Sequence, residues 1–193
     1  MFSKRNVYQL AICLVFFFQL YSSVSCQNKS LFQNRYQVEA AQIFKIPVLI
    51  TWPKSKPEIY DTTQPFIIGI IGKSRISQFL INCSKTEKIK DKHVIVKSIH
   101  DISEINSCQI LFVGENEISR LSCIVDQAIK YSVLTISDCN GFGEKGILIN
   151  FYIDENSCVR FEINLYQLKL TEFDFSSHLL ECAKLIYLKR DGK

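Results

Sequence analysis

The chain has 193 residues, with 23 Lys and Arg against 19 Asp and Glu, and 8 cysteines. That length accommodates one ordinary domain with enough chain to bury a real core. A net charge of +4 is too small to imply a nucleic-acid partner.

Lys4 and Arg5 precede an apolar run from Val7 to Tyr21, centred on Phe16, Phe17 and Phe18, and the small residues Ser22, Ser23, Val24 and Ser25 follow. This is the pattern of a secretory signal peptide cut near Cys26, so residues 1–25 read as signal and 26–193 as one mature domain. The apolar run is about 15 residues, short of the roughly 20 that a spanning helix needs. An uncleaved anchor and a lipid on Cys26 are the alternatives; one acyl chain would hold only weakly. Cleavage removes Lys4 and Arg5 and no acid, which lowers the formal charge from +4 to +2. Export to an oxidising compartment favours disulfides among Cys26, Cys83, Cys108, Cys123, Cys139, Cys158 and Cys182. Buried thiols packing as small hydrophobes are the alternative. No C-x-x-C pair and no Cys/His cluster of zinc spacing occurs, so neither a metal nor a cofactor is expected.

Helical spacing of Tyr36, Ala40, Ile43, Phe44 and Val48 predicts a helix over residues 31–50, ended or kinked by Pro47. A loop then runs from Trp52-Pro53 to Pro65. The apolar run Phe66 to Ile71, bounded by Pro65 and Gly72, reads as a buried strand. Ser74 is placed to cap a helix over Arg75 to Asn82. The cluster Lys85 to Lys92, broken by Glu87 and Asp91, reads as a solvated loop. Val94 to Val96 is a short strand, Asp101 or Ser103 opens a helical turn, and Gln109 to Gly114 is a third strand. Ile118, Leu121, Ile124, Val125, Ala128 and Ile129 line one face of a helix over Glu117 to Tyr131. Val133 to Ile136 is a fourth strand.

Strands alternating with helices imply βαβ units and a parallel sheet covered on both faces. After Ser137 the pattern changes. A turn-rich loop, Asp138 to Gly143, leads into strands over Gly146 to Ile153 and Cys158 to Ile163, joined by the four-residue loop Asp154 to Ser157. A short helix around Leu165 to Leu170 follows. Ser176 or Ser177 caps a last helix carrying Leu179, Leu180, Ala183, Leu185 and Ile186. The fold class is therefore α/β: a mixed, mostly parallel sheet flanked by helices, with a C-terminal antiparallel hairpin.

Alternation sends Arg160, Glu162 and Asn164 to one face of the second hairpin strand, where they are candidates for gripping a partner. The plainer reading is a local Arg160–Glu162 ion pair with Asn164 capping the next helix. Trp52 is either an interface anchor or packed core. His93, His100 and His178 are far apart in sequence and sit beside no nucleophile motif, so no enzyme activity is expected. Gly69 to Ser74 only echoes a phosphate loop, because the required first glycine is missing.

In order and spacing, Tyr36 to Ala41 leading to Trp52-Pro53, Pro65 to Gly72, Cys108 to Val113, Gly141-Phe142, Gly146 to Phe151, Arg160 to Asn164 and Ser176 to Leu180 resemble the YfiR family over nearly the whole mature chain. The resemblance implies a bacterial periplasmic protein, often a dimer. In characterised members such a protein represses a membrane diguanylate cyclase by binding the cyclase's periplasmic domain, which lowers cyclic di-GMP, and the resemblance implies the same here. An outer-membrane lipoprotein can sequester such a protein. Other members accompany sensor kinases or outer-membrane receptors. Relatives carry two disulfides that the resemblance would place at Cys108 and Cys139. The first strand here has no cysteine, which leaves Cys83 as the candidate partner of Cys108; Cys158 is the candidate for Cys139. A different reading is a periplasmic small-ligand sensor using the crevice at the carboxyl ends of the strands, near Gly72, Gly114 and Ser137.

Overall fold

A computed structural model describes residues 35–187. The signal segment and Cys26 lie outside the described residues. The chain divides into compact units 1–37 and 38–193; of the first, only the opening of a helix is described. That helix, α1, covers residues 35–45 and gives way to a 3₁₀ turn, Ile46–Leu49, with Pro47 in its first turn. Proline is tolerated there because a first-turn N–H has no intrahelical partner to lose. In the second unit α1 buries Ala40, Ile43 and Phe44.

The elements that follow are β1 (Ile50–Thr51), β2 (Phe66–Ile71), α2 (Ser77–Ser84), β3 (Lys88–Ile89), β4 (Lys92–Ile99), β5 (Ile110–Val113), α3 (Leu121–Lys130), β6 (Leu134–Ser137), β7 (Ile149–Ile153), β8 (Val159–Asn164), α4 (Leu165–Leu168), β9 (Asp174–Phe175), α5 (Ser177–Glu181) and β10 (Lys184–Ile186). Eight strands form one sheet in the order β10-β8-β7-β6-β5-β2-β4-β3, while β1 and β9 pair separately. The pairs from β4 through β2, β5 and β6 to β7 are parallel, β10 is parallel to β8, and the β7–β8 and β3–β4 pairs are antiparallel. The mixed, mostly parallel α/β sheet with its C-terminal hairpin is thus the architecture of the chain.

Apolar residues fill both sides of β2 and β5 because helices and loops cover both faces, while β6, also buried throughout, alternates Leu134 and Ile136 with Thr135 and Ser137. On one face Ile71, Ile99, Leu111 and Val113 pack with Leu121, Ile124, Val125 and Ala128 of α3 and with Phe142 and Ile147. Phe66 belongs to the other face. It meets Trp52 edge-on at 5.8 Å between ring centres, and Phe173 meets Trp52 at 5.1 Å. The β2-to-β4 and β5-to-β6 crossovers run in opposite directions across the sheet, so right-handed connections place α2 and α3 on opposite faces.

Four expectations need correcting. The basic segment 85–92 contains β3 and a tight turn at Lys90 and Asp91, both at positive φ (50° and 63°), and β4 runs three residues further at its end than the predicted strand. Lys92 is buried, its ammonium donating to the Glu58 carbonyl. The helix α3 begins at Leu121 after a 3₁₀ turn, Glu115–Glu117, and this leaves Ile118 exposed. The last helix stops at Glu181. Lys184 to Ile186 then pair with Glu162 to Asn164 of β8, whose outer backbone would otherwise go unmet.

Lys56 ties the loop before β2 to the turn that precedes β5. Its ammonium donates to the carbonyls of Asn106 at 3.4 Å and Cys108 at 3.5 Å, at the end of the 3₁₀ segment Ile102–Ser107, and pairs with Glu58 at 3.4 Å. Lys56→Met keeps the aliphatic stem and strands these acceptors. It should cost about 1–3 kcal/mol in urea unfolding.

Candidate functional site

The hairpin β7–β8 carries a polar face. Asn150 lies opposite Glu162, and Lys184 of β10 flanks Glu162 on the other side. The Asn150 amide donates to Glu162 Oε1 at 3.3 Å, and the Lys184 ammonium reaches Glu162 Oε2 at 3.5 Å. The loop 138–146 lies over this face. A Cβ on Gly143 would stand 2.5 Å from Glu162 Oε1, so a larger residue there would push the Glu162 carboxylate from its place. Asn164 donates to the Gly143 carbonyl at 2.8 Å and accepts the Gln167 N–H at 3.1 Å, which caps α4. Asn150 Oδ1 and Gln167 Oε1 are buried with no hydrogen-bond partner.

Arg160 sits at the open end of this face. It pairs with Asp154 at 3.0 Å rather than with Glu162. Asp154 also accepts the N–H groups of Asn156 and Cys158, each at 2.9 Å, and so closes the hairpin loop. The Cys158 N–H and the Arg160 guanidinium hold the Asp154 carboxyl below the usual carboxylate range.

A second concave region lies where β2 and β4 end. Ile70, Gly72, Ser98, Ile99, His100, Glu117 and Arg120 line a cleft of about 260 Å³. Glu117 is 6% exposed, and its Oε2 accepts both Nε and Nη2 of Arg120, at 2.9 and 2.6 Å. Gly72, at φ +79°, makes room for Glu117, since a Cβ there would fall 2.6 Å from Glu117 Cγ. A Cβ on Gly114 would fall 2.3 Å from the Lys73 carbonyl, so the chain segments after β2 and β5 cross in contact. Ser137, grouped with these glycines in the sequence, instead donates to the Val113 carbonyl at 2.7 Å and does not line the cleft.

The candidate partner-binding residues therefore separate. Glu162 and Asn164 come together beneath the 138–146 loop, and Arg160 stays exposed nearby. Trp52 is core: it is 2% exposed and its indole N–H points to the Pro47 carbonyl at 3.4 Å. β10 covers the strand at Glu162 to Asn164, whereas Val159 to Phe161, Arg160 among them, meet no strand on that side among the described residues. His93 lies on β4, His100 just beyond it and His178 on α5.

The six described cysteines are thiols. Cys108 is buried in the cluster on the α3 face, and burial pushes its thiol up to about 11. Cys83 rides on α2, on the opposite face, so the sheet separates these two candidates for a bridge. Burial also raises the half-buried Cys83 and Cys139 thiols, whereas Cys158 is exposed in the hairpin loop.

Sequence reading missed Asn150 and Lys184, the partners of Glu162, and also Glu117 and Arg120. The last two carry a usable signal, an acid and an arginine three residues apart just past a strand. Asn150 is the one polar residue in the run 147–153, and this marks it in the same way.

Two solved structures are similar to part of this chain. One is the ligand-free, open structure of a substrate-binding protein with adhesive properties from Clostridium difficile: 16% identity, TM-score 0.45, covering 69% of this chain and 58% of that one. The other is an ABC domain in complex with L-Trp from Streptococcus pneumonia: 12% identity, TM-score 0.45, covering 63% and 55%. The chain thus spans less than two thirds of either structure's length. No curated protein matches. A family model described as YfiR/HmsC-like matches residues 36–184. The chain belongs to the YfiR/HmsC-like family. The YfiR/HmsC-like match reaches from the first described turn of α1 to the first residue of β10, and so includes both the hairpin face and the cleft. Among the described residues no helix is long and apolar enough to cross a membrane.

Proposed function

We propose that this protein is an exported periplasmic regulator that binds the periplasmic domain of a membrane diguanylate cyclase and holds the cyclase inactive. The observation that carries the reading is membership of the YfiR/HmsC-like family over residues 36–184, nearly the whole of the described fold. A binding protein of this kind acts through differential affinity: it prefers one conformer of its target and shifts the population toward it. The residues 1–25 supply export, and the mature domain supplies the contact.

Deleting the gene in the native bacterium should raise intracellular cyclic di-GMP, and the intact gene should restore it. Unchanged cyclic di-GMP in the deletion strain would overturn the cyclase reading. Fractionation should find the mature chain in the periplasm; an outer-membrane lipoprotein that sequesters it, or a second copy, would co-purify from that fraction.

A second reading, a periplasmic small-ligand sensor or an accessory of a sensor kinase or outer-membrane receptor, draws on the cleft at the ends of β2 and β4. The carboxyl ends of parallel strands are the usual place for a ligand in an open α/β sheet, and this cleft lies one strand from the point between β2 and β5 where the crossover direction reverses.

A further inference from the structure

The sheet ends in the three-residue strand β10 on one side and in a longer open stretch on the other. β3 is two residues long and pairs only with Lys92 and His93 of β4. From Val94 to Ile99, β4 pairs with β2 on its inner side and meets no strand on its outer side among the described residues. Six residues of unpaired outer backbone are a ready template for another strand. Sheets that avoid such pairing blunt the edge with an outward lysine, a proline or a bulge. Lys97 has the position for that task but turns back, its ammonium donating to Ser107 Oγ at 2.7 Å. Beside it Ile95 is 48% exposed. Alternation along β4 sets Ile95, Lys97 and Ile99 on one face. Among the described residues no carboxylate pairs with Lys97.

We propose that the Val94–Ile99 edge takes up an extended segment of the partner protein as an added strand, with an acidic residue of that segment opposite Lys97 and an apolar residue opposite Ile95. This rests on the partner-binding reading above and specifies its chemistry. Main-chain hydrogen bonds along the edge supply affinity, and the Ile95–Lys97 pair supplies selectivity. A second copy of the chain is the poorer occupant. Two copies pairing antiparallel with like faces together, and clear of β3, centre on Lys97, which sets Lys97 opposite Lys97 of the other copy, or on Ser98, which sets Lys97 opposite Ile99, so neither register offers Lys97 an acid within β4. Like charges directly opposite destabilise a strand pair. Moving the register to centre on Val96 brings Ile99 opposite His93, whose outer side Lys88 already occupies.

The test uses the mature chain and two blocked hexapeptides of alternating threonine and valine, one with a central glutamate and one with a central lysine. Hydrogen exchange read at single amides should show residues 94–99 gaining protection with the glutamate peptide. The lysine peptide should bind about three- to tenfold more weakly, and Lys97→Glu should invert that preference. No protection, equal response to both peptides, or protection that grows with protein concentration alone would overturn the proposal. The two readings fail separately. If the edge gains no strand yet gene deletion raises cyclic di-GMP, regulation runs through another face. If the edge pairs as described and cyclic di-GMP does not respond, the partner is not a cyclase.

Discussion

Gly69→Cys should crosslink itself to Cys108. Gly69 is the central-strand residue that faces Cys108: a Cβ built there lies 3.0 Å from Cys108 Sγ. In a disulfide, each Cβ stands about 3 Å from the opposite sulfur, a consequence of the S–S length and the bond angles. The new side chain also meets Ile99 Cγ1 at 2.8 Å, so the reduced variant carries an overpacking cost of about 1–3 kcal/mol, which Gly69→Ala should share. Oxidation then closes a loop of about 40 residues and should return roughly 4 kcal/mol relative to the reduced form. The measurement is urea unfolding with and without reductant, alongside non-reducing peptide mapping. A variant whose unfolding ignores reductant would show that the two sites do not meet as described. The wild-type chain holds glycine here, so no side chain of β2 at this position can bridge to Cys108.

Trp52→Ala should be the most damaging single truncation, with a loss of about 3–5 kcal/mol. Trp52 is 2% exposed and braces Phe66 of β2 and Phe173 through edge-to-face contacts, so removing it opens a cavity between the central strand and the segment before β9. Trp52→Phe retains a ring in the same place and should lose less than half as much. Circular dichroism must report both, because Trp52 is the only tryptophan. The pair of variants separates packing from partner contact. If Trp52→Ala folds with wild-type stability and only repression is lost, the residue is an interface anchor after all.

How far the sequence could be read depended on which interactions fix each element. The strands β2 and β5 stand out because a parallel strand buried on both faces leaves an unbroken apolar run. The hairpin is legible from its alternation and its acid-led loop. β3 is hidden because its turn uses Lys90 and Asp91 at positive φ, where glycine or asparagine is the expected signal. β10 is hidden because Leu179, Ala183 and Ile186 keep helical spacing. What sets residues 184–186 straight is the unmet backbone of β8, a tertiary demand with no local signature. The same holds for the polar face. Glu162 and Asn164 can be named from strand parity, but Gly143 and Lys184 join them only through the loop and the returning chain.

That returning chain has a consequence for how the molecule is made. Residues 184–186 cover Glu162 to Asn164 of β8, so a sheet strand is contributed by a stretch that leaves the ribosome, and any export channel, after every other described strand. Until then the hairpin's flank is sticky and unguarded. A product clipped just ahead of Lys184 would keep that state for good, and its expected fate is clumping or proteolysis rather than quiet loss of activity.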